Sequence, residues 1–145
     1  MTTRGLTAGG AVAFDFLTRW PWWRRWFGSR GEQIAARFLQ ERGLTILARN
    51  FRCPLGEVDL VARDGSVVVF VEVRSTGGPD PERPALSVDA TKQRRLTRLA
   101  LWFLQRHRLL GCPARFDVVT VHWPDGHHQP TVRHYPHAFE AAGSE

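Results

Sequence analysis

Apolar positions set out the elements of this chain in order. Ile34, Ala35, Phe38 and Leu39 recur at helical spacing and form one buried stripe. Ser29-Arg30-Gly31-Glu32 ahead of them fits a capping box, with Glu32 reaching back to the Ser29 amide, and Gly43 supplies the stop. Leu44 to Arg52 reads as a first strand. A hairpin follows, from Gly56 through a turn at Asp64-Gly65 and on to Arg74. Val67 to Val73 is apolar throughout except for Glu72, as expected of a central strand covered on both faces. Gly77-Gly78-Pro79, Pro81 and Pro84 make residues 75–87 a loop. Leu96, Leu99, Ala100, Phe103 and Leu104 then mark a helix from Val88 to His107, capped by Ser87 or Asp89. Arg115 to His122 and Thr131 to His134 are the last strands. Helix, three strands, helix, two strands predicts an α/β fold: a mixed central sheet of about five strands flanked by helices, with a right-handed crossover through the long helix.

The hairpin carries charge where a buried strand should not. Glu57 and Asp59 lie on its first strand, Glu72 and Arg74 on its second. Buried charges are normally paired or bound to metal. A two-residue Asp64-Gly65 loop would set Arg63 opposite Ser66, Asp59 opposite Phe70 and Glu57 opposite Glu72. Alternation of side chains then projects Glu57, Asp59, Glu72 and Arg74 from one side, whereas a three-residue loop would send Asp59 to the other. Neighbouring carboxylates repel unless a cation intervenes. Their hard oxygens suit Mg²⁺ or Mn²⁺, which can activate water and stabilise charge on a phosphoryl oxygen. The competing expectation is an internal ion-pair network of the same four groups with no metal.

The run Gly56-Glu57-Val58-Asp59-Leu60-Val61-Ala62-Arg63-Asp64-Gly65 with Val69-Phe70-Val71-Glu72-Val73-Arg74 resembles the YraN-like family of uncharacterised bacterial proteins. That family is placed in the PD-(D/E)XK nuclease superfamily, close to Holliday-junction resolvases. Supporting likenesses are Gly31-Glu32 with Ala35 and Phe38-Leu39, Leu47-Ala48-Arg49-Asn50-Phe51-Arg52, Lys92 with Arg95-Leu96 and Ala100, Arg115-Phe116-Asp117-Val118-Val119, and His134 with Ala138-Phe139. Together they span about residues 29 to 142. The resemblance implies a restriction-endonuclease-like core. It implies that Asp59 and Glu72 hold the metal, with the Val73 carbonyl completing the inner shell, and that Glu32 adds a further acid. Arg74 stands where the superfamily has its catalytic lysine, and Glu57 belongs to the signature without a clear role. Arginine keeps the charge and can grip a phosphate, but it does not give up a proton at neutral pH.

Composition narrows the partners. The 145 residues suit one domain, 43% hydrophobic and 23% charged. The net charge of +6 favours polyanions, although 19 of the 20 basic residues are Arg, as an Arg-rich genome would also give; Lys92 is the single lysine. Lys92, Arg94, Arg95 and Arg98 crowd the start of the long helix, against its dipole, and form the expected phosphate contact. Cys53 and Cys112 suggest neither a disulfide framework nor structural zinc. His127-His128 sits in a predicted turn. Residues 1–28 read as a separate basic extension, rich in Trp and Arg around Arg19 to Phe27, ahead of a nuclease-like domain over 29–145. No apolar run is long enough to span a bilayer and no signal-peptide pattern shows, so cytoplasm is the expected compartment. The expected function is a Mg²⁺- or Mn²⁺-dependent endonuclease on structured or branched DNA. The alternative is a nucleic-acid-binding module on the same scaffold that no longer cleaves, favoured by Arg74 and by the capping role of Glu32. A homodimer is expected only by analogy with junction-cutting relatives.

Overall fold

The computed structural model describes residues 30–77, 88–124 and 129–142. The extension over 1–28, Ser29 of the expected capping box, the proline-rich stretch 78–87 and the His127-His128 pair lie outside the described residues. The elements are α1 (Arg30–Glu41), β1 (Thr45–Cys53), β2 (Gly56–Asp64), β3 (Val67–Gly77), α2 (Ala90–Arg106), β4 (Ala114–Trp123) and β5 (Thr131–Phe139). The strands form one sheet in chain order, antiparallel everywhere except the parallel β3–β4 pair that α2 connects. This is the mixed α/β sheet flanked by helices that the hydrophobic pattern predicts, and it is consistent with a restriction-endonuclease-like fold.

Each helix covers one face. Ala35, Ala36 and Leu39 of α1 pack on Leu60, Ala62, Val69, Val71, Val119 and Val121. Leu96, Leu99, Ala100, Phe103 and Leu104 of α2 pack on Leu47, Val58, Val61, Val68, Phe70, Phe116 and Val118. Val68 to Val71 are therefore buried on both sides, and β3 is the centre of the molecule. Phe103 meets Phe51 and Phe70 edge-on, with centroids 5.0 and 5.6 Å away, an arrangement that favours aromatic pairs. Gly31 lets α1 approach β3 closely: a Cβ there would stand 2.0 Å from Oγ of Ser75.

Three expectations need correction. The hairpin loop is Gly65-Ser66, not Asp64-Gly65, because Asp64 pairs with Val67 and Arg63 with Val68. Gly65 takes the first loop position at φ 59°, where a type II′ turn requires glycine. The register moves by two residues, so Val61, not Asp59, faces Phe70. Second, β3 does not end at Arg74. Ser75, Thr76 and Gly77 continue it because β4 offers parallel partners Val121, His122 and Trp123. Third, β5 runs past His134 to Phe139. Pro136 is tolerated on this edge strand, where the register shifts opposite Asp117 and His137 takes φ 53°. Asp117 is fully buried and fastens this shift. Its carboxylate accepts from the His137 amide at 3.1 Å, from Nε2 of His134 at 2.7 Å and from Nε of Arg115 at 3.0 Å. These bonds, with the Arg115 charge, outweigh burial and hold its acid below the ordinary carboxylate range.

Candidate functional site

The site forms where β2 and β3 part. Their ladder runs from Asp64–Val67 to Leu60–Val71 and ends there, although both strands continue. On the other side of β2, the β1 register passes from Arg49–Leu60 to Phe51–Val58, skipping Asn50 and Asp59, and Asn50 takes φ 49°. Val58 packs in the α2-side core, yet Leu60 packs in the α1-side core. Strict alternation would put both on one face. Asp59 thus stands at the point where β2 changes its facing, at the mouth of the fork.

With no β2 carbonyl opposite it in the ladder, the Val73 amide donates to Oδ2 of Asp59 at 2.8 Å. Burial, followed by the Glu72 charge, pushes the Asp59 acid up to about 7. The Val73 hydrogen bond opposes that rise, Glu32 adds to it, and Lys92 opposes it. Glu32 and Glu72 therefore act on Asp59 from α1 and β3 respectively, and Lys92 acts from α2. The Glu57 charge is not among those that perturb it. Glu57 instead pairs with Nε of Arg52 at 2.9 Å, both side chains more than half exposed. The one-sided group of four expected from alternation thus does not form as drawn, because the irregularity at Asp59 breaks the alternation along β2.

Glu72 is 12% exposed and meets Nζ of Lys92 at 2.5 Å. Asp89 caps α2, accepting from the Lys92 amide at 2.8 Å, and this fixes the first helical turn over β3. Lys92 is therefore set apart from the arginines with which the sequence groups it. Arg94, Arg95 and Arg98 are exposed on α2, Arg94 donating to Thr91 at 3.3 Å and Arg95 laying its methylenes over Gly56. The sequence held a signal for this: Lys92 precedes Leu96 by four residues and continues the stripe of Leu96, Leu99 and Phe103. Arg74 is half-buried two residues beyond Glu72, level with Thr120 of β4.

Among the described residues, no three His, Cys, Asp or Glu side chains gather at metal-ligating spacing. The donors at the fork are Asp59 and Glu72, with backbone and water left to complete a shell. Two observations fit a cation there. Burial, with the Glu72 and Glu32 charges adding to it, raises the Asp59 acid, and an ammonium already sits on Glu72. Few protein ligands, with several waters retained, is the usual way Mg²⁺ is held.

The sequence profile described as "Uncharacterised protein family UPF0102" matches residues 31–121, well over half of the chain and the whole of the fork. A UPF0102 protein of Rhodopirellula baltica is 46% identical over 119 residues, covering 80% of this chain and 71% of its own. One of Geobacter metallireducens is 43% identical, covering 79% of this chain and 93% of its own. One of Alkalilimnicola ehrlichii is 49% identical, covering 80% and 88% respectively.

Proposed function

The chain belongs to the uncharacterised protein family UPF0102, and on that premise we propose that it is a nucleic-acid-binding protein that hydrolyses phosphodiesters in structured or branched DNA with Mg²⁺ or Mn²⁺ at Asp59 and Glu72. The observation that carries this reading is Asp59 itself. It is fixed by the Val73 amide at 2.8 Å and pressed upon by two further carboxylates. Burial with neighbouring carboxylates that raises an acid to about 7 is costly to the apo fold and would be relieved by a divalent ion.

In this reading Asp59 and Glu72 hold the metal, and the Val73 carbonyl is the backbone oxygen to complete the set. The bound ion would supply an activated water and charge stabilisation on the phosphoryl oxygen. Glu32 orients water from the α1 side. Arg74 grips the phosphate and keeps its proton. Lys92 places a second cation in the site, its ammonium beside Glu72. Arg94, Arg95 and Arg98 remain a candidate backbone contact on the exposed side of α2.

One observation favours the non-cleaving alternative: the Lys92–Glu72 pair neutralises one of the two metal carboxylates. A branched DNA incubated with the protein and Mg²⁺ or Mn²⁺ separates the readings. Cleavage by wild type that disappears in both Asp59→Asn and Glu72→Gln is expected. Binding that survives under either metal with no cleavage by wild type would leave only the binding module.

A further inference from the structure

A second charged feature lies outside the fork. Arg30, Gln33, Ile34, Arg37 and Gln40 of α1, with Arg49 of β1, line a groove of about 490 Å³. That volume is within the roughly 300–1,000 Å³ of ordinary ligand clefts. The α1 residues are three or four apart and so stack along one flank of the helix, turned away from the stripe of Ala35, Ala36 and Leu39 that faces the sheet. Arg49 closes the groove from β1, the edge strand. Among the described residues, three guanidiniums and two carboxamides line the space, and no acid does. Burial pulls the Arg49 guanidinium below its ordinary value, so this charge is held partly out of water.

The groove and the fork draw on neighbouring residues: Arg49 pairs with Leu60, the residue after Asp59. Glu32, whose charge reaches Asp59, lies on the side of α1 turned toward the buried stripe, away from the groove residues. Arginine forks match phosphate oxygens, while glutamine amides can both donate to and accept from sugars and base edges.

We propose that this groove between α1 and β1 binds a nucleic-acid strand, its phosphates held by Arg30, Arg37 and Arg49. The proposal rests on the nucleic-acid-binding part of the reading above and not on hydrolysis. The test is fluorescence anisotropy of labelled single-stranded and branched DNA with the full chain in EDTA, where no cleavage intervenes. Arg30 and Arg37 are exposed, so Arg30→Gln/Arg37→Gln should fold normally, as circular dichroism would verify. Its affinity should fall, and the slope of log K against log salt should shrink by about one for each arginine removed. Arg49→Lys, which keeps the charge but loses the fork, should also weaken binding. The α2 pair Arg94→Gln/Arg98→Gln is the comparison. If it alone lowers affinity and slope while Arg30→Gln/Arg37→Gln leaves both unchanged, the strand binds on the other face and the proposal falls. It also falls if wild type ignores DNA and instead uses these arginines to bind vesicles of anionic lipid. Loss of cleavage in Asp59→Asn with groove-dependent binding intact would uphold both readings. Groove-dependent binding by a wild type that never cleaves would uphold the groove proposal alone.

Discussion

Asp59 is the residue on which the proposed chemistry turns, and its titration gives a stability signature. Its acid lies near 3.9 in an unfolded chain and at about 7 in the fold. As pH rises through that interval the unfolded state releases the proton first. The native state therefore loses stability between about pH 4 and pH 7 and levels off above. Asn keeps an oxygen for the Val73 amide and removes the charge. In metal-free buffer, Asp59→Asn should come close to wild type at about pH 4 and exceed it at about pH 8, by roughly 1 kcal/mol or more. Urea melts at the two pH values check this. Equal destabilisation at both would mean that Asp59 is a structural ion-pair partner.

Among the elements, the close approach of α1 to β3 fixes Glu32 relative to the fork. A Cβ on Gly31 would lie 2.0 Å from Oγ and 3.3 Å from Cβ of Ser75. Gly31→Ala should cost about 1–3 kcal/mol through overcrowding, and Ser75→Ala in the same chain should recover part of it. Thermal melts of the single and double variants measure the coupling; an identical penalty in both backgrounds would show that Ser75 is not the obstacle. The elements also show what was legible. The apolar run of β3 and the stripe of α2 are local patterns, and they fold as read. The turn was misplaced because Gly65 belongs to two hairpin dipeptides, Asp-Gly and Gly-Ser, and a shift of two preserves the alternation on which the reading relied. The ends of β3 and β5 were not legible because their partners lie far away in sequence: Val121 to Trp123 for β3, Asp117 for β5. The acids of the fork could be picked out by type and spacing. The switch of facing at Asp59 could not, since it depends on β1 and β3 together. The groove at Arg49 was missed for the same reason, as it joins two elements that the sequence read separately.

At the scale of the molecule, the described residues set one sheet between two helices, with paired carboxylates at the β2–β3 fork and an arginine-lined groove on α1, in a chain of net charge +6. Among the described residues no helix is long and apolar enough to cross a membrane. In the proposed function, the basic charge meets a polyanion and the fork holds a divalent cation between protein and phosphate. The most direct test is a thermal melt of wild type beside Asp59→Asn at about pH 8, titrated from EDTA into Mg²⁺ or Mn²⁺. A site at Asp59 and Glu72 should stabilise wild type by roughly 2.7 kcal/mol at metal about 100-fold above Kd, several degrees in Tm, and should leave Asp59→Asn unmoved. A wild-type Tm indifferent to both metals, with Asp59→Asn melting lower than wild type, would contradict the metal site and leave an internal charge network in its place.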